Sequence, residues 1–274
     1  MANAEAATPT PLATFAAEVR AHRNAVGWSQ VILGDKIGYS GSFVSDVERC
    51  ERQPALDFAT ACDREFGLPG TFVRLHELIR HNAYPAWFSP VVPLERKAVR
   101  IHGWEPFVAP GLLQTEDYAR ELIRVSRPQD SQAKVEELVQ ARMERQAILT
   151  SDTPPLLWYV LDEGSLRRVV GTAEIMDAQL ERLLTVASAG GVVIQVLSFV
   201  AGDQPGADGP ICVYEFADAP TVCYTECYRG GRLVEDATEV ADMITTVSMV
   251  RAAALAPRAS LELMRRVRRE LHET

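Results

Sequence analysis

Between Phe15 and Ile79, apolar residues recur three and four positions apart, the spacing that gathers side chains on one face of a helix. Phe15, Val19 and His22 share such a face, and Gly27 ends that first helix. Ser29 is placed to cap a second helix carrying Ile32, Leu33 and Ile37, which Gly38 stops. Ser40 caps a third, with Phe43, Val44 and Val47 at its apolar positions. Pro54 opens a fourth through Ala55, Phe58, Ala59, Cys62 and Phe66, closed by "GLPG", and a fifth runs from Thr71 to about Ile79. Five short helices in succession predict a compact all-α domain.

"HNAYPAWFSPVVPLE", with three prolines and three aromatics, marks a domain boundary, and Trp87 and Phe88 in it predict packing rather than a free linker. Beyond it the period changes. "AVRIHGWEPFVA" is rich in β-branched and aromatic residues, and strand-like runs follow at Leu156–Leu161, Val192–Leu197, Ile211–Phe216 and Val222–Cys227. Helical patterns lie between and after them. These are "TEDYARELIRV", with Thr115 as cap and Glu116 and Asp117 at its positive end, "SQAKVEELVQARMERQAILTS", Glu174–Ala189, Asp236–Ala254 and "SLELMRRVRREL". The expected fold is α+β overall. A disordered stretch at residues 1–12 precedes a five-helix domain at 13–82, and a mixed α/β domain with a sheet of about four or more strands fills 83–274.

Composition narrows the function. Apolar residues make up 47% and charged residues 24% of 274, enough for real cores, and the net charge is −9. Residues 1–82 hold eight Lys and Arg against ten Asp and Glu, so any contact with nucleic acid has to come from a local patch. No apolar run reaches the roughly 18 residues of a membrane span, and the N-terminus lacks the basic and apolar regions of a signal peptide. Five cysteines, an odd and sparse count, suit a reduced compartment. A cytoplasmic protein with no membrane contact is expected.

The segment from Ser29 to Pro54 carries the pattern of a helix-turn-helix: a polar start, a small residue inside the first helix, a turn, and an exposed face on the second. Gln30 offers an amide that reaches a phosphate, Gly34 lets the two helices approach, and Gly38 makes the turn. Val44 and Val47 anchor the second of these helices inward, which leaves Gly41, Ser42, Ser45 and Asp46 facing out. The competing reading is a helical bundle with no DNA role. "WSQVILGDKIGYSGSFVSDVERCERQPALDFA" resembles the Xre-type (phage-repressor-like) helix-turn-helix family over about Phe15 to Ile79, through Gln30, Gly38, Ser40, Val44 and the "ERxxRxP" run Glu48–Pro54. Cys50 departs from it, standing where that family places Gly, at a position expected to need a left-handed backbone.

The resemblance implies double-stranded DNA as a partner. Hydroxyls of Ser42 and Ser45 donate or accept, and Asp46 accepts from a cytosine amino group, so readout base by base is weak. Affinity is then expected from phosphates, through Gln30, Ser40, Ser42, Arg49 and Arg52, and a homodimer on two half-sites is expected to supply the missing specificity.

A second resemblance covers about Tyr84 to Leu263. "IHGWEPFVAPGLLQTEDYARELI", "RMERQAIL", "LLWYVLDEGSLRRVVG", "MDAQLERLL", "VVIQVLSF", "GADGPICVYEF" and "CYTE" are similar, in that order, to the C-terminal domain of the WhiJ-like (Scr-type) regulators of actinomycetes. It implies a transcriptional regulator paired with a small protein encoded by a neighbouring gene, as antitoxins are. A regulator that senses a small molecule, or an enzyme carrying a helix-turn-helix, are the alternatives.

Other chemistry is weaker. Cys212, Cys223 and Cys227 lack a structural-zinc spacing, so no metal is expected. "GDQPGADGP" lacks the Lys-Ser/Thr of a phosphate loop and reads as a connection between strands, and no cofactor is expected. His102, Asp162, Glu163, Glu215 and Glu226 make a catalytic set only if they converge, and none is expected. Trp87, Trp104, Trp158, Phe107 and Tyr159 read mostly as core, and the basic "RRVRRE" as a solvated helix face.

Overall fold

The computed structural model describes residues 11–82, 84–85, 87–201, 206–228 and 230–272. The chain falls into two compact units, residues 1–85 and 86–274. Of the stretch expected to be disordered, residues 1–10 lie outside the described residues, while Pro11 and Leu12 already belong to the first helix.

The first unit is five helices: α1 (Pro11–Ala25), α2 (Gln30–Ile37), α3 (Gly41–Glu48), α4 (Leu56–Phe66) and α5 (Thr71–Asn82). Phe15, Val19, Leu33, Val44, Val47, Phe58, Cys62 and Phe72 meet in its core, with the Phe15 and Phe72 rings edge to face at 5.3 Å. Helix α5 is held at its start by a residue of α4. The buried Asp63 carboxylate accepts from Phe72 N and Val73 N, each at 2.9 Å, and so satisfies two of the amides that a helix start leaves unpaired.

The second unit opens with α6 (Val91–Glu95) and builds a six-stranded mixed sheet in the order β3-β2-β1-β4-β5-β6. The strands are β1 (Arg100–Glu105), β2 (Leu156–Asp162), β3 (Val192–Leu197), β4 (Ile211–Glu215), β5 (Val222–Cys227) and β6 (Gly230–Val234). β1, β2 and β3 are parallel, joined through α7 (Glu116–Ser126) with α8 (Gln132–Arg145), and through α9 (Glu163–Arg167) with α10 (Ala173–Ala189). β4, β5 and β6 continue the sheet antiparallel. β6, α6 and α9 were not expected from the sequence.

Alternation along each strand splits the sheet into two faces. Ile101, Leu157, Tyr159, Ile194, Tyr214 and Tyr224 point into the main core. Trp104, Val160, Val213 and Cys223 point to the other face, where α11 (Ala237–Ala253) covers them with Val240, Val247 and Val250. The final helix, α12 (Pro257–Glu270), starts on a proline, whose missing N–H costs nothing in the first turn. It closes the outer edge of β3: Val196 N donates to Ser260 Oγ and Leu255 N to Val196 O, both at 2.9 Å. No single helix among the described residues is long and apolar enough to cross a membrane.

Candidate functional site

In the first unit, α2 and α3 are locked together by close backbone approach. A Cβ on Gly34 would lie 2.6 Å from the Tyr39 carbonyl oxygen, and one on Gly41 2.8 Å from Val31 Cγ2. Ser29 Oγ accepts from Ile32 N at 3.2 Å to start α2, Gly38 turns the chain with φ 80°, and Ser40 Oγ accepts from Phe43 N at 3.1 Å to start α3. Val44 and Val47 are fully buried, which turns the opposite face of α3 outward. Ser42 and Arg49 are exposed there, and Ser45 and Asp46 half-buried. Gly41 does not present an open face as expected, because it is packed on Val31.

Behind this face stands Glu48, unremarked as a centre in the sequence and nearly fully buried. Arg23 donates to its two carboxylate oxygens at 2.6 and 2.9 Å, Gln30 Nε2 to one of them at 2.9 Å, and Arg20 to its backbone carbonyl at 2.7 Å. Burial opposes the charge on Glu48, but the hydrogen bonds from Arg23 and Gln30, aided by the Arg23 and Arg20 charges, hold its carboxyl below the ordinary range. One N–H of Gln30 is thus committed inside the unit. Arg49 pairs with Asp46 at 2.6 Å and Glu51 at 2.8 Å and also touches Ser45, and Arg52 lies over the Phe43 ring at 4.6 Å. The Arg49 charge is therefore matched by carboxylates, whereas Arg52 rests on an aromatic ring. Cys50 takes φ 61°, the only positive value at a non-glycine among the described residues, so the left-handed turn forms despite the side chain.

In the second unit the loop after β1 is pinned by buried glutamines. Gln179 accepts from Thr115 N at 2.8 Å and donates to Leu113 O at 3.0 Å, while Gln114 donates to Ala109 O and accepts from Arg142. On the α11 face, Arg251 stacks on Trp158 at 4.1 Å and donates to His102 Nδ1 at 2.9 Å, and His102 Nε2 donates to Glu215 at 2.8 Å. Burial pushes the His102 pKa down, against the Glu215 hydrogen bond, and the Arg251 and Arg100 charges lower it further. On the opposite face Glu105, at the end of β1, is raised to about 8 by burial and by neighbouring Glu226, with Arg145 opposing. Residues 88–266 match the model of a family described as Domain of unknown function (DUF5753). The chain belongs to this family. No curated protein and no solved structure matches the chain.

Within the DUF5753 domain, the residues singled out in the sequence do not form one constellation. His102 and Glu215 come together, but Asp162 caps α9 through Gly164 N, Glu163 binds Arg167 and Phe199 N, and Glu226 accepts from Tyr224. Cys212 pairs in register with Tyr224 and Cys223 with Val213, which puts the two cysteines on opposite faces of the sheet. Trp104 and Tyr159 are core residues, whereas Phe107, expected mostly in the core, is exposed. In the basic C-terminal run, Arg268 is tied to Asp177 at 2.6 Å. Of the glycine-rich "GDQPGADGP", residues 202–205 lie outside the described residues, and Gly206 O accepts from Trp104 Nε1 at 2.8 Å.

Proposed function

We propose that the chain is a sequence-specific, DNA-binding transcriptional regulator. Its first unit is read as an Xre-type helix-turn-helix, and its DUF5753 domain as the regulatory, dimerising module. The observation that carries the reading is the α2–α3 unit: two eight-residue helices joined through Gly38 and Ser40, with Val44 and Val47 buried behind an outward row of Ser42, Ser45 and Asp46. Short polar side chains there let the backbone of α3 come close to base edges in a major groove. Arg49 and Arg52, flanking the row, are assigned to phosphates, with Gln30, Ser40 and Ser42. Arg49 would exchange Asp46 and Glu51 for a phosphate on docking.

Replacing Arg49 or Arg52 by Ala should weaken binding to all duplexes alike and flatten the salt dependence by about one unit of slope, while Ser42→Ala changes sequence preference. Titration of operator and scrambled duplexes at several salt concentrations measures both, and wild-type binding by the two Arg variants would remove α3 from the interface. Homodimerisation and capture of the small protein encoded next door belong to the same proposal, and light scattering and calorimetry on the full chain test them.

A further inference from the structure

α10 and α12 pack against each other, and a groove of about 770 Å³ runs between them. Its walls follow the helical period. Glu181, Leu184, Thr185 and Ser188, with Ala189, line it from α10, and Arg265, Arg268 and Arg269 from α12, with His272 just beyond the helix end. The α12 wall is fixed in place, because Ser260 ties that helix to the edge of β3.

Three guanidiniums meet two carboxylates here. Arg268 is held by Asp177 at 2.6 Å and by Glu181, and His272 Nε2 lies 2.9 Å from Asp177. Both carboxylates are thus engaged by Arg268. Arg265 and Arg269 are exposed, one turn or about 6 Å of helix apart. Their side chains make no hydrogen bond or ion pair among the described residues. Elsewhere in the domain Arg120, Arg124, Arg127, Arg167, Arg232 and Arg258 each pair with a carboxylate. Arg266 stands outside the groove, where its charge acts on Glu163. In a chain of net charge −9, two uncompensated guanidiniums on one groove wall are a local exception. Across from them, the Thr185 hydroxyl makes no hydrogen bond among the described residues, whereas that of Ser188 donates to Leu184 O at 2.8 Å.

We propose that this groove binds a small organic anion, a carboxylate or phosphate ester on an apolar body. Arg265 and Arg269 hold the anion from α12, Thr185 donates to it from α10, and the body lies over Leu184 and Ala189. A guanidinium presents parallel N–H groups that match the oxygens of either anion, which a lone ammonium does not. The volume falls within the usual range of small-molecule sites, about 300–1,000 Å³, and a seam between packed helices is a common place for one.

The test is calorimetry on the full chain in Tris chloride, with 1-naphthyl phosphate and 1-naphthoate as probes, 1-naphthol as the neutral counterpart and inorganic phosphate as the anion without a body. It reads no DNA, so its outcome is separate from that of the reading of α3. Saturable binding of a naphthyl anion is expected, with none of naphthol and weaker binding of inorganic phosphate, and the stronger of the two anions names the headgroup. R265Q and R269Q should each weaken binding by about tenfold or more, the loss of one charge-assisted hydrogen bond. R266Q, which removes the same charge from the same helix outside the groove, should leave it unchanged. A189F, filling the groove from α10, should weaken the naphthyl anion and spare inorganic phosphate. Absence of saturable heat up to millimolar probe overturns the proposal. So does an equal loss in R266Q, which would mean diffuse attraction to the helix, or unchanged affinity in R265Q and R269Q with a wild-type circular dichroism spectrum.

Discussion

Removing the Glu48 carboxylate would leave the Arg23 guanidinium, 11% exposed, against carbon instead of an anion, and would free the Gln30 amide as well, while Arg20 keeps its bond to the Glu48 backbone carbonyl. Breaking one partner out of a buried ion pair typically costs about 3–5 kcal/mol. Glu48→Ala should therefore loosen α1, α2 and α3 together, read as faster hydrogen exchange of their amides. Because the folded carboxyl titrates below its unfolded value, this support is complete above the unfolded pKa, ordinarily 4.5, and is lost as pH falls through the folded value. Exchange in Glu48→Ala should accordingly respond less to acid than in wild type. None of this was legible beforehand. Glu48 stood in the sequence only as one member of a charged run, and its partners lie 18 to 28 residues away, where Arg20 and Arg23 look like ordinary solvated arginines. Cys50 was the opposite case: the local turn dictated a left-handed residue, and the backbone adopts it.

At the scale of elements, what could be read was what is decided locally. Ser29, Ser40 and Thr115 each cap the helix they were expected to cap, since a hydroxyl before an apolar period settles the matter within four residues. β6 was missed because "GG" at its start reads as a turn, and only pairing with β5 makes it a strand. α6 was hidden by Pro93, although the first turn of a helix tolerates proline. The face of α3 offers a prediction of its own. Asp46 both repels phosphates and occupies Arg49, so Asp46→Asn should tighten binding to every duplex, by about tenfold if one charge-assisted pair is gained, and should steepen the salt dependence. Filter binding at two ionic strengths decides it, and weaker binding by the variant to all sequences would mean that Asp46 reads a base.

Across the whole molecule, the two units answer to pH through different groups. Glu105 keeps its proton up to about 8 in the folded domain, well above its ordinary 4.5. A group whose pKa rises on folding contributes stability that is complete below its unfolded value and disappears as pH climbs through the folded one. Thermal melts of the full chain from pH 5 to 9 should show the DUF5753 domain losing stability toward pH 8, and E105Q should flatten that decline. Steady stability of wild type over this range would mean that the carboxyl is ionised throughout.

The bond between Val196 and Ser260 joins positions 64 residues apart, and it has a consequence for how the chain is made. During synthesis β3 emerges, pairs with β2, and then waits for α12 with one row of its amides bare. Such a row is a template for the strand of another chain. A message cut short before Pro257 would release a protein whose sheet is complete but unsealed, and chaperones or proteases, rather than DNA, would be its first partners.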